Sequence, residues 1–250
     1  MNEAEVPPVT AAILVIGDEI LSGRTKDKNI GHIAERLTEV GIDLKEVRVV
    51  PDEEDEIVAA LNALRVKFDY VFTTGGIGPT HDDITADAVA KAFGVGIDVD
   101  PRARDMLLEY IAEKDLNEAR LRMARIPFGA SLVVNPVSKA PGFNIGNVYV
   151  MAGVPRIMHA MLEAIIPTLR TGVPMLSRTV LANAKEGDIA APLGDIAKRN
   201  RDVIIGSYPF LGETGPNTNI VVRSRSEARV EAVAALVAEM LVAVGAAKVS

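Results

Sequence analysis

Six consecutive apolar residues, Ala11-Ala12-Ile13-Leu14-Val15-Ile16, run directly into Gly17. A strand with one wet face alternates apolar and polar residues, whereas a strand apolar at every position is covered on both faces. This run therefore calls for a sheet sandwiched between two other layers. The following segments supply helices for them. Ile30, Ile33, Ala34, Leu37 and Val40 keep helical spacing, and Gly41 supplies a stop. Val47–Val50 reads as a second strand. Ile57, Ala60, Leu61 and Leu64 mark a helix with an acidic start, which suits a helix N-terminus. Asp69–Thr74 is a third strand, followed by a helix through Ala86, Val89, Ala90 and Phe93 that Gly94 closes.

Asp100-Pro101 is a cap followed by proline at the first helical position, and it opens a helical stretch expected to reach about Arg125. Leu132–Val134 and Val148–Met151 read as strands, with a loop from Asn135 to Gly142 between them and a helix over 155–169 after them. This βαβα rhythm predicts an α/β fold: a three-layer, mostly parallel sheet with helices on both faces, over residues 10–170. Thr171-Gly172-Val173-Pro174 reads as a hinge. Beyond it the order becomes strand, helix, strand, strand, helix, a small α+β domain over residues 175–246. Pro192 falls in its first helix, either kinking or starting it.

Composition removes several classes of function. With no cysteine, neither disulfides nor thiolate metal sites are available. The formal charge is −7, with a net −8 over residues 1–170 and +1 over 171–250, so neither part has the basic excess of a nucleic-acid binder. The start of the chain lacks a basic segment leading into an apolar one, and the apolar run 232–244 is too short to span a bilayer. A cytoplasmic protein without membrane or nucleic-acid partners is expected.

In an open parallel sheet, ligands sit beyond the carboxyl ends of the strands. The third strand ends at Thr74 and runs into Gly75-Gly76-Ile77-Gly78-Pro79-Thr80-His81-Asp82-Asp83. Three glycines in four residues allow close backbone approach and turn N–H groups toward an anion, and Thr80 adds a hydroxyl donor. Asp82 and Asp83 repel phosphate unless a divalent cation bridges them to it or one of them activates a water. A tight turn with an aspartate helix cap is the plainer alternative, but such a turn needs only one glycine. Gly17-Asp18-Glu19 follows the first strand and could meet ribose hydroxyls or a metal, or simply be a polar turn. Asp52 ends the second strand in an acid-rich helix start, and Gly153-Val154-Pro155 lies at the same sheet edge. Lys139 and Arg156 are cations available to neutralise phosphate, as is Arg122.

Taken together, Gly17–Gly23, Asn29, Thr73–Asp83, Asn135-Pro136, Ala140–Phe143 and Gly153-Val154-Pro155 resemble the MoaB/Mog-type molybdopterin-binding family. The likeness is strongest to its branch in the N-terminal part of competence/damage-inducible protein A (CinA). The resemblance implies the molybdopterin-binding fold followed by a small KH-like domain, self-association into a homo-oligomer, and a nucleotide or pterin ligand held by these segments, Asn29 included. In the molybdenum-cofactor branch it implies molybdopterin binding and adenylylation, with acids matching Asp52 and Asp83. In the CinA branch it implies a pyrophosphatase dependent on Mg²⁺, Mn²⁺ or Co²⁺ that splits ADP-ribose into AMP and ribose 5-phosphate. Related modules accompany eukaryotic FAD synthase.

The leading expectation is hydrolysis of an ADP-ribose-like dinucleotide, with Asp82 and Asp83 as metal ligands and Asp83, Asp82 and Asp52 as the catalytic acids. The alternative is a non-catalytic molybdopterin- or nucleotide-binding module. Two positions depart from the family pattern: Ile157 stands where glutamate is expected, and Leu121-Arg122-Met123-Ala124 replaces Arg-Lys-Gln-Ala. The nicotinamide-nucleotide amidase domain of CinA has no counterpart in these 250 residues, and that activity is not expected. RNA binding by the C-terminal module is disfavoured by its near-neutral charge and by the lack of a Gly-x-x-Gly loop between two helices.

Overall fold

The computed structural model describes residues 7–212 and 215–247. The chain divides between Gly172 and Val173 into two compact units. The first opens with β1 (Val9–Ile16), the short α1 (Asp18–Leu21), α2 (Asn29–Glu39), β2 (Ile42–Val50), α3 (Glu54–Arg65) and β3 (Tyr70–Thr74). It continues with α4 (Thr85–Phe93), β4 (Ile97–Val99), α5 (Pro101–Leu108), α6 (Glu118–Leu121), β5 (Arg125–Pro127) and β6 (Ser131–Val133). It ends with β7 (Gly142–Ile145), β8 (Val148–Met151) and α7 (Pro155–Ile165).

Six strands form the main sheet in the order β2-β1-β3-β8-β7-β6, parallel from β2 to β8 and antiparallel from β8 to β6. Strand β1 sits inside the parallel part, which explains its unbroken apolar sequence. Ala12, Leu14 and Ile16 face a core with Ile57 and Leu61 of α3, Val89 of α4 and Leu107 of α5. Ala11, Ile13 and Val15 face the other core, with Ile33 and Leu37 of α2 and Met158, Met161 and Leu162 of α7. The expected three-layer α/β architecture is therefore present.

Local chemistry sets the element ends. Asp27 Oδ1 accepts from the main-chain N–H groups of Asn29 (3.0 Å) and Ile30 (2.8 Å), satisfying two donors at the start of α2. Gly94 closes α4 in the left-handed region at φ 66°. Asp100 caps α5 by accepting from Arg102 N–H (2.8 Å).

Two expectations need correction. The helix opened by Pro101 ends at Leu108; a 3₁₀ turn, the short α6 and a second 3₁₀ turn follow, and then strand β5. The segment Glu109–Glu118 carries no sustained apolar stripe to hold a long helix against the sheet, and Asn117 caps a new one by accepting from Arg120 N–H (3.0 Å). Strand β2 begins at Ile42 rather than Val47. It is an edge strand, and Asp43, Lys45, Glu46 and Arg48 obscure its apolar positions in the way edge strands commonly do. Strands β4, β5 and β7 are too short to show a period in the sequence.

The second unit comprises β9 (Leu176–Ala182), α8 (Glu186–Arg199), β10 (Ile204–Gly212), β11 (Gly215–Ser224) and α9 (Glu227–Ala243). Its antiparallel sheet has the order β10-β11-β9. Ile220 and Val222 of β11 pack with Ile189 of α8 and with Val233, Val237 and Leu241 of α9. Pro192 lies inside α8. Among the described residues, no helix is long and apolar enough to cross a membrane.

Candidate functional site

The carboxyl ends of β2, β1, β3 and β8 lie side by side and deliver four of the singled-out segments to one edge: Asp52, Gly17–Glu19, Gly75–Asp83 and Gly153. Main chain forms the floor. Gly75 (φ 103°) and Gly76 (φ 67°) occupy backbone conformations that L side chains rarely adopt. A Cβ on Gly75 would collide with the carbonyl oxygen of Ile16, and one on Gly76 with Thr85 Oγ1. Gly153 brings its own backbone against this turn, since a Cβ there would lie 3.2 Å from Gly75 Cα. The turn is held from both sides: Gly75 N–H donates to Met151 O (3.2 Å), Thr85 N–H to Gly76 O (3.0 Å) and the Thr85 hydroxyl to Gly75 O (2.9 Å).

Helix α4 begins two residues after Asp83, and its first N–H is spent on Gly76. Its N-terminus therefore anchors the glycine turn, and the intervening segment 77–83 forms the rim. There Thr80 does not present a free hydroxyl; both its N–H (2.8 Å) and its hydroxyl (2.5 Å) donate to Asp83 Oδ2. Arg122 grips the turn from behind through Nη2 to Asp83 O (3.2 Å), and its Nε is buried without an acceptor.

The second acidic group surrounds Asp52. Its Oδ2 accepts from Asp18 N–H (2.9 Å), fixing the turn that carries Glu19. Burial pushes the Asp52 carboxyl above the usual aspartate range despite that hydrogen bond, and the charges of Asp18, Glu19 and Asp82 push it the same way. Acids from three strand ends thus feel one another. Among the described residues, however, no three His, Cys, Asp or Glu side chains gather closely enough to cage a metal ion. A divalent cation held here would take no more than two of these carboxylates and would need phosphate oxygens and water to complete its shell.

The floor opens into a cleft of about 360 Å³. Glu19, Gly75, Gly76, Gly78, Pro79, Asp83 and Gly153 line it, joined by Met123, Asn135, Ser138, Ala140, Val154 and Ile157. Gly17, Asp18, Asn29, Asp52, Thr74, Thr80, Asp82, Lys139 and Pro155 lie outside that lining. Thr74 is buried with its hydroxyl unpartnered, and Asn29 reaches the site indirectly through Nδ2 to Gly153 O (2.8 Å). Lys139 is paired with Glu109 at 2.7 Å and sits at φ 63°.

The sequence reading did not assign Asn135 a role, although its Asn-Pro pair was among the family-like features. It is buried and organises its loop: Nδ2 donates to Ser138 Oγ (2.7 Å) and Ala140 O (2.8 Å), while Oδ1 accepts from Val137 and Ser138 N–H. Ile157, and Met123 from the altered 121–124 stretch, both line this cleft, Met123 resting on the core of one sheet face and Ile157 on that of the other.

Comparison with known proteins agrees with this geometry. Residues 12–171 match the probable molybdopterin binding domain family. The chain belongs to that family. Residues 174–248 match the FAD synthase middle domain. Protein LS215_2186 of Saccharolobus islandicus is 37% identical over 210 residues, covering 80% of each chain. A relative from Archaeoglobus fulgidus is 34% identical over 201 residues, 80% of this chain and 86% of its own. Among solved structures, the CinA protein of Thermoplasma acidophilum, described as of unknown function, is 36% identical and superposes with a TM-score of 0.61. It covers 64% of this chain and 98% of that one. The molybdopterin-binding domain family and the CinA-like fold are thus both shown for residues 12–171.

Proposed function

We propose that the cleft binds a nucleotide diphosphate of the ADP-ribose kind and hydrolyses it with the help of a divalent cation. One observation carries this reading: a glycine floor of main chain and acids from three neighbouring strand ends converge at the carboxyl edge of one sheet. Main-chain N–H groups over 76–78 hold the diphosphate, and Gly75 and Gly76 let it come close. Asp82 and Asp83 on the rim would hold the cation, which supplies charge neutralisation on the phosphoryl oxygens. Asp83 orients the attacking water toward phosphorus. The P–O–P linkage breaks, one phosphate staying with the adenosine and the other with the ribose. Asp52 acts at a distance by fixing the Asp18–Glu19 turn, and Glu19 lines the cleft.

The test is to incubate the purified protein with ADP-ribose and Mg²⁺, Mn²⁺ or Co²⁺ and to measure AMP. Asp83→Asn is expected to lower kcat by about a hundredfold or more. Turnover unchanged by that substitution would sink the mechanism.

A second reading, a non-catalytic module for a pterin or nucleotide, is favoured by the apolar residues in the cleft lining. Met123 and Ile157 suit the face of a planar ring better than a second phosphate. It predicts saturable binding of AMP or molybdopterin with no turnover under any of the three metals. Self-association into a homo-oligomer belongs to both readings and is checked by sedimentation.

A further inference from the structure

Helix α7 starts at the cleft and α2 starts beside Gly153 at its edge, and three successive rungs join the two helices. Nearest the cleft, Asn29 Nδ2 donates to Gly153 O (2.8 Å), tying the first residue of α2 to the strand end just before α7. One turn farther along, His32 and His159 stack face to face, with ring centroids 3.6 Å apart and planes 14° from parallel. A further turn on, Arg36 grips Glu163 with two hydrogen bonds, Nε to Oε1 (2.7 Å) and Nη2 to Oε2 (2.9 Å), and also bonds Glu39.

The middle rung is chemically unlike the others. Both imidazole Nε2 atoms are buried with no hydrogen-bond partner. Two neutral rings tolerate this with the proton on Nδ1 and a bare lone pair inside. A protonated ring must carry a proton on Nε2 as well, which creates a buried donor without an acceptor. Protonating both rings would also set two positive charges face to face at stacking distance. Of the charged groups one helical turn from the rings, Glu163 favours protonation of His159 and Arg36 already engages that carboxylate, while Lys28 just before α2, Glu35 of α2 and Arg156 of α7 lie at the same spacing. The core between these helices and the sheet is built from Ile13, Val15, Phe72 and Met151, with the partly buried Tyr70 and Tyr149 packed against it. Burial, reinforced by His32, accordingly holds His159 below the ordinary histidine range.

We propose that the His32–His159 stack is an acid-sensitive latch on the ligand cleft. While neutral, it holds the starts of α2 and α7 together and keeps the Asn29–Gly153 hydrogen bond made. Once protonated, the rings repel; the Arg36–Glu163 rung acts as the pivot, so the helices part at the cleft end. Gly153, whose backbone lies against Gly75, then moves away from the floor and affinity falls. The effect on affinity rests on the cleft being the ligand site, whereas the mechanical opening does not.

The experiment is hydrogen exchange of the full chain without ligand, read by mass spectrometry at about pH 7.5 and about pH 5 and corrected for the intrinsic pH dependence of exchange. In the wild type, the peptides covering residues 29–36 and 151–160 are expected to exchange about tenfold faster at the acidic pH. His32→Phe/His159→Phe keeps a ring stack that cannot titrate and is expected to lose that difference. The single change His159→Phe, which removes the like-charge pair, serves if the double variant melts early at neutral pH. Equal exchange at both pH values in the wild type, or the same acid response in the phenylalanine variant, overturns the latch. ADP-ribose affinity measured by calorimetry at the same two pH values is the second arm, expected to drop about tenfold on acidification in the wild type only. Failure of ADP-ribose to bind at neutral pH counts against the cleft reading alone, since the exchange result stands without a ligand.

Discussion

Gly75 is the residue on which the site most depends, because its place can be taken by no side chain. Gly75→Ala adds left-handed strain to a collision with the Ile16 carbonyl, and is expected to cost about 3 kcal/mol or more in urea unfolding. Asp52 behaves in the opposite sense. Its folded-state pKa is raised, so the folded protein binds the proton more readily than the unfolded chain, and stability falls as pH rises through the interval just above the usual aspartate value. Asp52→Asn keeps an acceptor for Asp18 N–H and removes the buried charge. It is expected to raise Tm at pH 7 and to lose that advantage as the pH drops below the interval. Thermal melts across the two conditions check the sign.

Among the elements, Asp69 links the starts of β1 and β3 to the chain leaving α7. It accepts from Thr10 N–H (2.8 Å), the Thr10 hydroxyl (2.9 Å) and Arg170 Nη2 (2.7 Å). The Thr10 main-chain N–H, with the Thr10 hydroxyl and Arg170, holds its carboxyl below the usual range. Its contribution is therefore present above the unfolded-chain value and fades as pH falls through the depressed folded value. Asp69→Ala is expected to cost about 1–3 kcal/mol at neutral pH, with a smaller penalty in acid, as read by denaturant titration. The same scale shows what a sequence can convey. The all-apolar β1 and the evenly spaced stripes of α2, α3 and α4 announced themselves because burial on a regular element imposes a period. β4, β5 and β7 span three or four residues each, less than any period needs, and the broken helix after Leu108 depends on packing that lies far off in sequence. In the site, the glycine turn was legible because only glycine meets its backbone demand. That Lys139 is spent on Glu109 and that Met123 and Ile157 meet at one cleft are products of long-range folding, which spacing along the chain does not encode, whereas the Thr80–Asp83 bond is a local contact across three residues.

At the level of the whole chain, every residue lining the cleft precedes Gly172, and the core built around α8 and α9 draws only on residues after it. A chain ending at residue 172 is accordingly expected to fold and to melt cooperatively by circular dichroism; a broad, sloping melt would show that the first unit depends on the second. Within that unit the cleft has a floor of main chain pinned by main chain, ringed by partly buried side chains. Met123 and Ile157 rest at the margins of the two cores, and Asp83 is bonded through its side chain only to its neighbour Thr80. A random-mutagenesis library scored for both yield and ligand turnover should therefore sort into two populations. Changes at 75, 76 and 153 would vanish with the soluble protein, and changes at 19, 83, 123 and 157 would survive as well-behaved proteins with altered appetite. The glycine floor is the part drift cannot touch, which leaves the rim free to be rewritten.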